Sequence, residues 1–255
     1  MTHPHVSLIV PCYNEIDGLP QLVTRLSSMR SRGEINGWEV LFIDDGSTDG
    51  TGPALEQLRQ KHHWVRVIHH PVNRGLGAAL RTGFACAEAP VVCTMDSDCT
   101  FAPETLPRMV EMLAEGADIV TASPWHPQSE LGKVHPVRKM LSKGASRLYR
   151  SILGGSVYSF TPLHRAYRKE VIKSVHFESN GFSGVAEFLV RAIFGGYKVK
   201  ELPMRLERRL YGESKINITQ SVFSHLSLMR LALTTVAGAW VAHQLGTWGR
   251  MAIGR

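Results

Sequence analysis

Cysteine is scarce in this chain of 255 residues. The four that occur, Cys12, Cys86, Cys93 and Cys99, have neither paired metal-ligand spacing nor the density of a disulfide framework. A disulfide-stapled secreted module and a zinc ribbon are thereby excluded. Three of them sit in apolar or strand-end contexts, as reduced, buried thiols do, so a reducing cytosol is the expected compartment. Long apolar runs are missing too. No basic N-terminal segment leads into an apolar one, and the chain enters a strand at Val6, so no signal peptide is expected. Arg230 and His243 bracket only twelve uncharged residues, well short of the ~20 that a membrane span requires. Internal repeats and low-complexity linkers are absent.

Acidic residues are sparse in one half only. Residues 1–132 hold 9 Lys/Arg and 16 Asp/Glu, whereas residues 133–255 hold 20 and 6. From Lys133 to Lys173 there are ten basic residues and the single acid Glu170. Any one lysine here reads as a solvated surface group, but the asymmetry points to anionic partners such as phosphates or an anionic membrane surface. No nucleic-acid module or interleaved aromatic platform accompanies the basic half, so no nucleic-acid partner is expected. A hydrophobic content of 44% with 20% charged residues is that of a folded globule of one large domain, or one domain plus an appendage.

What is present is an alternation of short apolar runs and amphipathic stretches. Val6–Pro11, Trp38–Ile43, Val65–His70, Pro90–Met95 and Ala117–Ala122 read as strands. Between them Asp17–Arg32, Asp49–His62, Leu76–Ala87 and Pro103–Glu115 read as helices. This order predicts an α/β fold with a doubly wound, mostly parallel sheet. After a polar loop, 124–136, a basic helix is expected over Arg138–Leu153, then a helix over Phe182–Phe194, a strand over Tyr197–Pro203 and a basic loop, Arg205–Lys215. Beyond Asn217, residues Val222, Leu226, Met229, Leu233, Val236 and Trp240 recur at spacings of four and three and form one apolar face. Three uses fit that face: an interfacial helix, a seam with a second copy or a membrane protein, or packing on its own domain.

Two acidic signatures end apolar strands: Asp44-Asp45-Gly46-Ser47-Thr48-Asp49 and Asp96-Ser97-Asp98. Ligands of open α/β sheets bind beyond the carboxyl ends of the strands. One such aspartate would be a helix cap or a turn residue; two clusters at equivalent ends mark a site. Two carboxylates one residue apart suit Mg²⁺ or Mn²⁺, which take oxygen ligands and bridge phosphate oxygens. Asn73-Arg74-Gly75-Leu76-Gly77 opens a helix, where glycines permit close backbone approach and the N-terminus favours an anion, or where they serve helix-on-sheet packing. A dinucleotide fingerprint would need a third glycine near Leu80 and a place after the first strand, so it is rejected.

Pro11–Glu15, Asp44–Thr51, Asn73–Phe84 and Asp96–Asp98, in this order and spacing, resemble the inverting family 2 glycosyltransferases. Arg209-Leu210-Tyr211-Gly212-Glu213-Ser214-Lys215 is similar to the RxxGxSK segment of their dolichyl-phosphate mannose synthase-like branch. The resemblance spans roughly residues 6–217. It implies a GT-A catalytic domain over 1–217, with 218–255 as the appended amphipathic segment, a nucleotide-sugar donor and a divalent metal. By resemblance, Pro11, Tyr13, Glu15 and Asp44 hold the nucleoside, and Asp96, Ser97 and Asp98 face the donor. Asp96 and Asp98 bind the metal and diphosphate, Arg209 and Lys215 clamp phosphates, and Arg138 and Ser142 meet an acceptor phosphate.

Three departures stand out. Thr100 replaces a glutamine that serves the family as a metal ligand. Ala122-Ser123-Pro124 replaces Gly-Ser-Arg, with His126 or Lys133 as substitutes for the lost arginine. Ser159–Arg165 replaces Asp-Thr-Ser-Gly-Phe-Arg. The expected activity is inverting transfer of a hexose, GDP- or UDP-linked, to a polyprenyl phosphate at the cytoplasmic membrane face, to which the protein is peripheral. The alternatives are transfer to a hydroxyl of a soluble or glycolipid acceptor, and a non-catalytic nucleotide-sugar-binding subunit. A hydroxyl acceptor needs a base, for which Glu187 stands in a suitable place; sugar binding is the reading preferred for it. No Gln-x-x-Arg-Trp occurs, which argues against a processive polysaccharide synthase.

Overall fold

Val6–Cys12 (β1) and Trp38–Asp44 (β2) are buried along their whole length, as strands covered on both faces must be. They are interior strands of a seven-stranded sheet in a computed structural model that describes residues 5–129, 136–153, 155 and 157–207. Further strands are Val65–His69 (β3), Val91–Thr94 (β4), Ile119–Ser123 (β5), Arg165–Arg168 (β6) and Val199–Pro203 (β7), in the spatial order β3-β2-β1-β4-β6-β5-β7. β6 runs antiparallel to β4 and β5; every other pairing is parallel.

The helices are Leu19–Ser31 (α1), Thr51–Lys61 (α2), Leu76–Cys86 (α3), Leu106–Ala114 (α4), Pro136–Leu153 (α5), Lys169–Ser174 (α6) and Ser183–Phe194 (α7). Alternate strand residues go to opposite layers. Leu8, Val10, Val40 and Phe42 pack with Leu22, Leu26 and Met29 of α1 and Leu106 and Met109 of α4. Ile9, Leu41 and Ile43 meet α3, while Tyr149 of α5, Tyr167 and Phe188 share a second core.

Within the described residues the expected elements are present with shifted ends. The helix expected over Pro103–Glu115 begins as a 3₁₀ turn, Pro103–Thr105, before α4. β6 and α6 were not expected. Arg165-Ala166-Tyr167-Arg168 has no apolar run, yet Arg165 is itself buried. Its guanidinium donates from Nη1 to Val185 O at 2.7 Å, from Nη2 to Phe160 O at 2.6 Å and from Nε to Thr121 Oγ1 at 3.2 Å. Those acceptors offset the cost of removing a guanidinium from water. Because β6 is reversed, its leading loop, 157–164, joins the carboxyl ends of β1, β2, β4 and β5 on one edge of the sheet. The expected domain boundary at 217, the basic loop from residue 208 on and the segment 218–255 lie outside the described residues.

Candidate active site

The loops after β1 and β2 are stitched to each other. Asn14 N–H donates to Ser47 Oγ at 3.0 Å and Asn14 Oδ1 accepts from Thr48 N–H at 2.8 Å. Glu15 N–H donates to Thr51 Oγ1 at 2.9 Å and Ile16 N–H to Asp49 Oδ2 at 3.2 Å. Asn14 adopts a left-handed backbone, φ 55°, a conformation non-glycine residues take up seldom and mostly where local contacts enforce it. Pro11 is buried at the end of β1, Tyr13 is half-buried, and Glu15 is buried. These three and Asp44 therefore share one rim.

Asp44 and Asp45 differ in what they touch. Asp44 accepts from Ser47 N–H at 3.0 Å through Oδ1 and meets His69 Nδ1 at 2.8 Å through Oδ2. Asp45 turns to the loop before α3: Oδ1 accepts from Arg74 N–H at 2.9 Å and meets His70 Nδ1 at 2.6 Å, and Oδ2 accepts from Gly75 N–H at 2.8 Å. His70 Nε2 in turn meets Thr82 Oγ1 at 2.9 Å. Asp45 and His70 thus hold the 73–75 loop, a structural use that sequence alone did not separate from that of Asp44.

The first turn of α3 has no room for an anion. Gly77 N–H donates to Asn180 O at 2.6 Å. A side chain at Gly75 or Gly77 would collide with the carbonyls of Asn180 and Ser179, and Gly75 has φ +91°. The glycines admit the 178–181 loop rather than a phosphate, and it is Gly83, against Ile9, that serves helix-on-sheet packing.

Glu187 anchors that same loop. Its carboxylate accepts from Glu178 N–H at 3.2 Å, from Ser179 N–H at 2.9 Å and from Arg191 Nε at 2.8 Å. Burial pushes its acidity down, but these donors outweigh burial and hold the carboxyl below its usual range. It is buried within α7, so it is not a helix-surface carboxylate, and it stands as an ionised loop anchor.

After β4 the chain makes a tight turn. Asp96 and Asp98 are half-buried, Ser97 is buried, and Thr100 N–H donates to Asp98 Oδ1 at 2.9 Å. Cys99 between them has φ 53°, and burial raises its thiol to about 11, so it stays protonated. Among the described residues no group of three or more His, Cys, Asp or Glu could hold a metal. The donor set nevertheless fits a hard cation, since Mg²⁺ is commonly held by one or two carboxylates with substrate phosphates. The hydroxyl of Thr100, at the family's glutamine position, is buried with no hydrogen-bond partner, which leaves an oxygen donor beside the pair.

The departures from the family pattern after β5 and before β6 contact one another. Ser123 Oγ lies 2.8 Å from Ser159 Oγ, Trp125 Nε1 donates to Ser142 Oγ at 3.1 Å, and Ser142 Oγ lies 2.9 Å from Thr161 Oγ1. Ser142 is therefore reached only through a hydroxyl already bonded on both sides, and it latches α5 to the end of β5. Glu201 accepts from Tyr158 and Ser159 N–H, both at 2.9 Å; burial dominates and lifts its carboxyl above the usual range. Tyr158 stacks under Arg150 at 4.0 Å and meets His126 edge-on at 5.2 Å. Arg138 falls in α5 with its side chain outside the described residues, as are Lys133, Arg209 and Lys215 entirely. All four cysteines are unpaired, and among the described residues no helix is long and apolar enough to cross a membrane.

Fold and sheet edge together define the GT-A class of nucleotide-diphospho-sugar transferases. Residues 7–176 match the model of Glycosyl transferase family 2, and the chain belongs to that family. It is 33% identical over 226 residues to polyprenol monophosphomannose synthase of Mycolicibacterium smegmatis, covering 85% of this chain and 83% of that protein. It is 30% identical over 252 residues to undecaprenyl-phosphate 4-deoxy-4-formamido-L-arabinose transferase of Pectobacterium carotovorum, covering 93% and 72%. Among solved structures, glucosyl-3-phosphoglycerate synthase of Mycobacterium tuberculosis, in complex with Mn²⁺, uridine diphosphate and phosphoglyceric acid, superposes with TM-score 0.63 at 20% identity, covering 89% of this chain and 78% of that one.

Proposed function

We propose that this glycosyltransferase moves a hexose, GDP- or UDP-linked, to a polyprenyl phosphate with inversion at the anomeric carbon. One observation carries the reading: Asp44, the Asp96–Asp98 turn and the 123–126 and 157–161 loops converge on one edge of the sheet, within a chain whose relatives act on lipid phosphates. Asp44 takes the nucleobase, with Pro11, Tyr13 and Glu15 framing the nucleoside. Asp96 and Asp98 would hold Mg²⁺ or Mn²⁺, with Ser97 beside them and Thr100 as a further oxygen. When bound, the ion offsets the charge that builds on the diphosphate leaving group.

Arg209 and Lys215 clamp the same phosphates, and Arg138, on α5, meets the acceptor phosphate while Ser142 holds that helix in place. A phosphate acceptor is already ionised and needs no base, which agrees with the commitment of Glu187 to the 178–181 loop. Peripheral attachment to the cytoplasmic membrane face follows from a lipid acceptor and a basic half. The test is a donor screen with Mn²⁺ or Mg²⁺, with and without polyprenyl phosphate. A sugar-lipid product in the extract is expected. Donor hydrolysis indifferent to the lipid, or transfer to an added hydroxyl acceptor instead, would remove the lipid-phosphate reading.

A further inference from the structure

His69 ends β3, the edge strand, in register with Asp44. Its Nδ1 lies 2.8 Å from Asp44 Oδ2 and its Nε2 lies 3.1 Å from Glu56 Oε1. Ionised carboxylates only accept, so both contacts are hydrogen bonds when the ring carries two protons. Glu56 is itself held by Arg59 Nε at 2.7 Å. The charged groups facing His69 are thus Asp44 from β2 and Glu56 and Arg59 from α2. Burial alone would lower the imidazole, but the hydrogen bonds to Asp44 and Glu56 outweigh it and raise it above the ordinary histidine value.

Asp44 is boxed in. Ser47 N–H occupies one lone pair of Oδ1, His69 one of Oδ2, and Gly52 approaches so closely that a side chain there would stand 2.8 Å from Oδ2. Each oxygen keeps one lone pair. Two parallel acceptors at a strand end match the N–H edge of guanine or the single ring N–H of uracil.

We propose that His69 is a positioning residue for nucleobase recognition: as an imidazolium bridging Glu56 and Asp44, it fixes the Asp44 carboxylate for the base and makes donor binding weaken as pH rises. The proposal rests on Asp44 being the nucleobase carboxylate. The sign follows from the geometry. Below its titration the ring donates to both carboxylates; above it the ring keeps a single N–H, so one of the two contacts sets acceptor against acceptor and Asp44 loses its cationic partner.

The experiment measures Mn²⁺-dependent binding of GDP-mannose and UDP-glucose, whose diphosphate esters do not titrate between about pH 6 and 8.5, and follows whichever binds. Wild-type affinity should fall about tenfold across that range, the worth of one charge-assisted hydrogen bond. His69→Asn keeps a donor near the Nδ1 position without a titrating ring, and should bind as wild type does at the acid end with no pH slope. His69→Leu should bind about tenfold more weakly throughout. Glu56→Gln should move the wild-type midpoint to lower pH. A pH slope that survives in His69→Asn, or wild-type affinity in His69→Leu, overturns the role of His69 alone. If neither nucleotide-sugar binds, or if Asp44→Asn binds as wild type, the Asp44 reading falls and this proposal with it.

Discussion

Asp45→Ala removes the one carboxylate that accepts from Arg74 N–H, Gly75 N–H and His70. Stranding buried donors in this way costs roughly 1–3 kcal/mol for each group that water cannot reach, so a loss of about 3 kcal/mol is expected, read by urea unfolding. Asp98→Ala is the contrasting substitution: a smaller loss in the same unfolding curve, from stranding Thr100 N–H, but loss of metal-dependent nucleotide-sugar binding and of turnover. Unchanged activity in Asp98→Ala would end the metal reading. The two variants separate aspartates that look alike in sequence. Nothing in the string Asp44-Asp45 says which carboxylate meets Ser47 and His69 and which holds the 73–75 loop, because strand alternation sends neighbours to opposite sides and the partners of Asp45 lie some thirty residues on. The place of the Asp96–Asp98 turn was legible because an apolar run that gives way to paired carboxylates marks the end of a buried strand locally.

At the scale of elements, Gly77→Ala sets a methyl group against the Ser179 carbonyl in the tightest helix–loop contact of the site. Overpacking of this kind costs about 1–3 kcal/mol, and here it should also displace the loop that Glu187 anchors, so catalytic rate should fall along with thermal stability; a stable, fully active Gly77→Ala would remove the close-approach argument. α5 gives a second case. Arg138→Ala should raise the KM for the acceptor more than the KM for the donor, and an equal rise in both would move Arg138 to the donor end. The helix itself was legible as a basic stretch after a polar loop, as were β1, β2 and β4 from their apolar runs. β6 was not, since a strand of two arginines flanking Ala166-Tyr167 carries no apolar signature, and its burial depends on acceptors from three other segments. The latch from Trp125 to Ser142 and Thr161 was equally hidden, being a set of hydroxyl contacts between residues far apart in the chain.

For the molecule as a whole, the division between an acidic first half and a basic second half is a statement about where it works. With 20 Lys/Arg against 6 Asp/Glu in residues 133–255, association with vesicles should require anionic lipid and weaken as salt screens the surface. Flotation with neutral and anionic vesicles across a salt series checks this; equal recovery on both would place the basic half elsewhere in function. Removing residues 222–255 should lower flotation further if the apolar face beyond Asn217 is interfacial, and unchanged recovery would favour a seam or internal packing.

The reversed strand β6 also dictates an order of assembly. β4 and β5 are consecutive in the chain, yet neither pairs with the other: each waits for residues 165–168 to enter between them. Until that stretch has emerged from the ribosome, the growing sheet ends in an open, hydrogen-bond-hungry margin, and closure depends on contacts of long sequence separation, the slow kind. A chain cut before residue 165 should therefore associate through β4, eluting as aggregate on size exclusion, even though it contains both aspartate clusters intact. The two sides of the sheet are not separable modules; the β3-β2-β1-β4 side is joined to β5 and β7 only when β6 has been threaded between them.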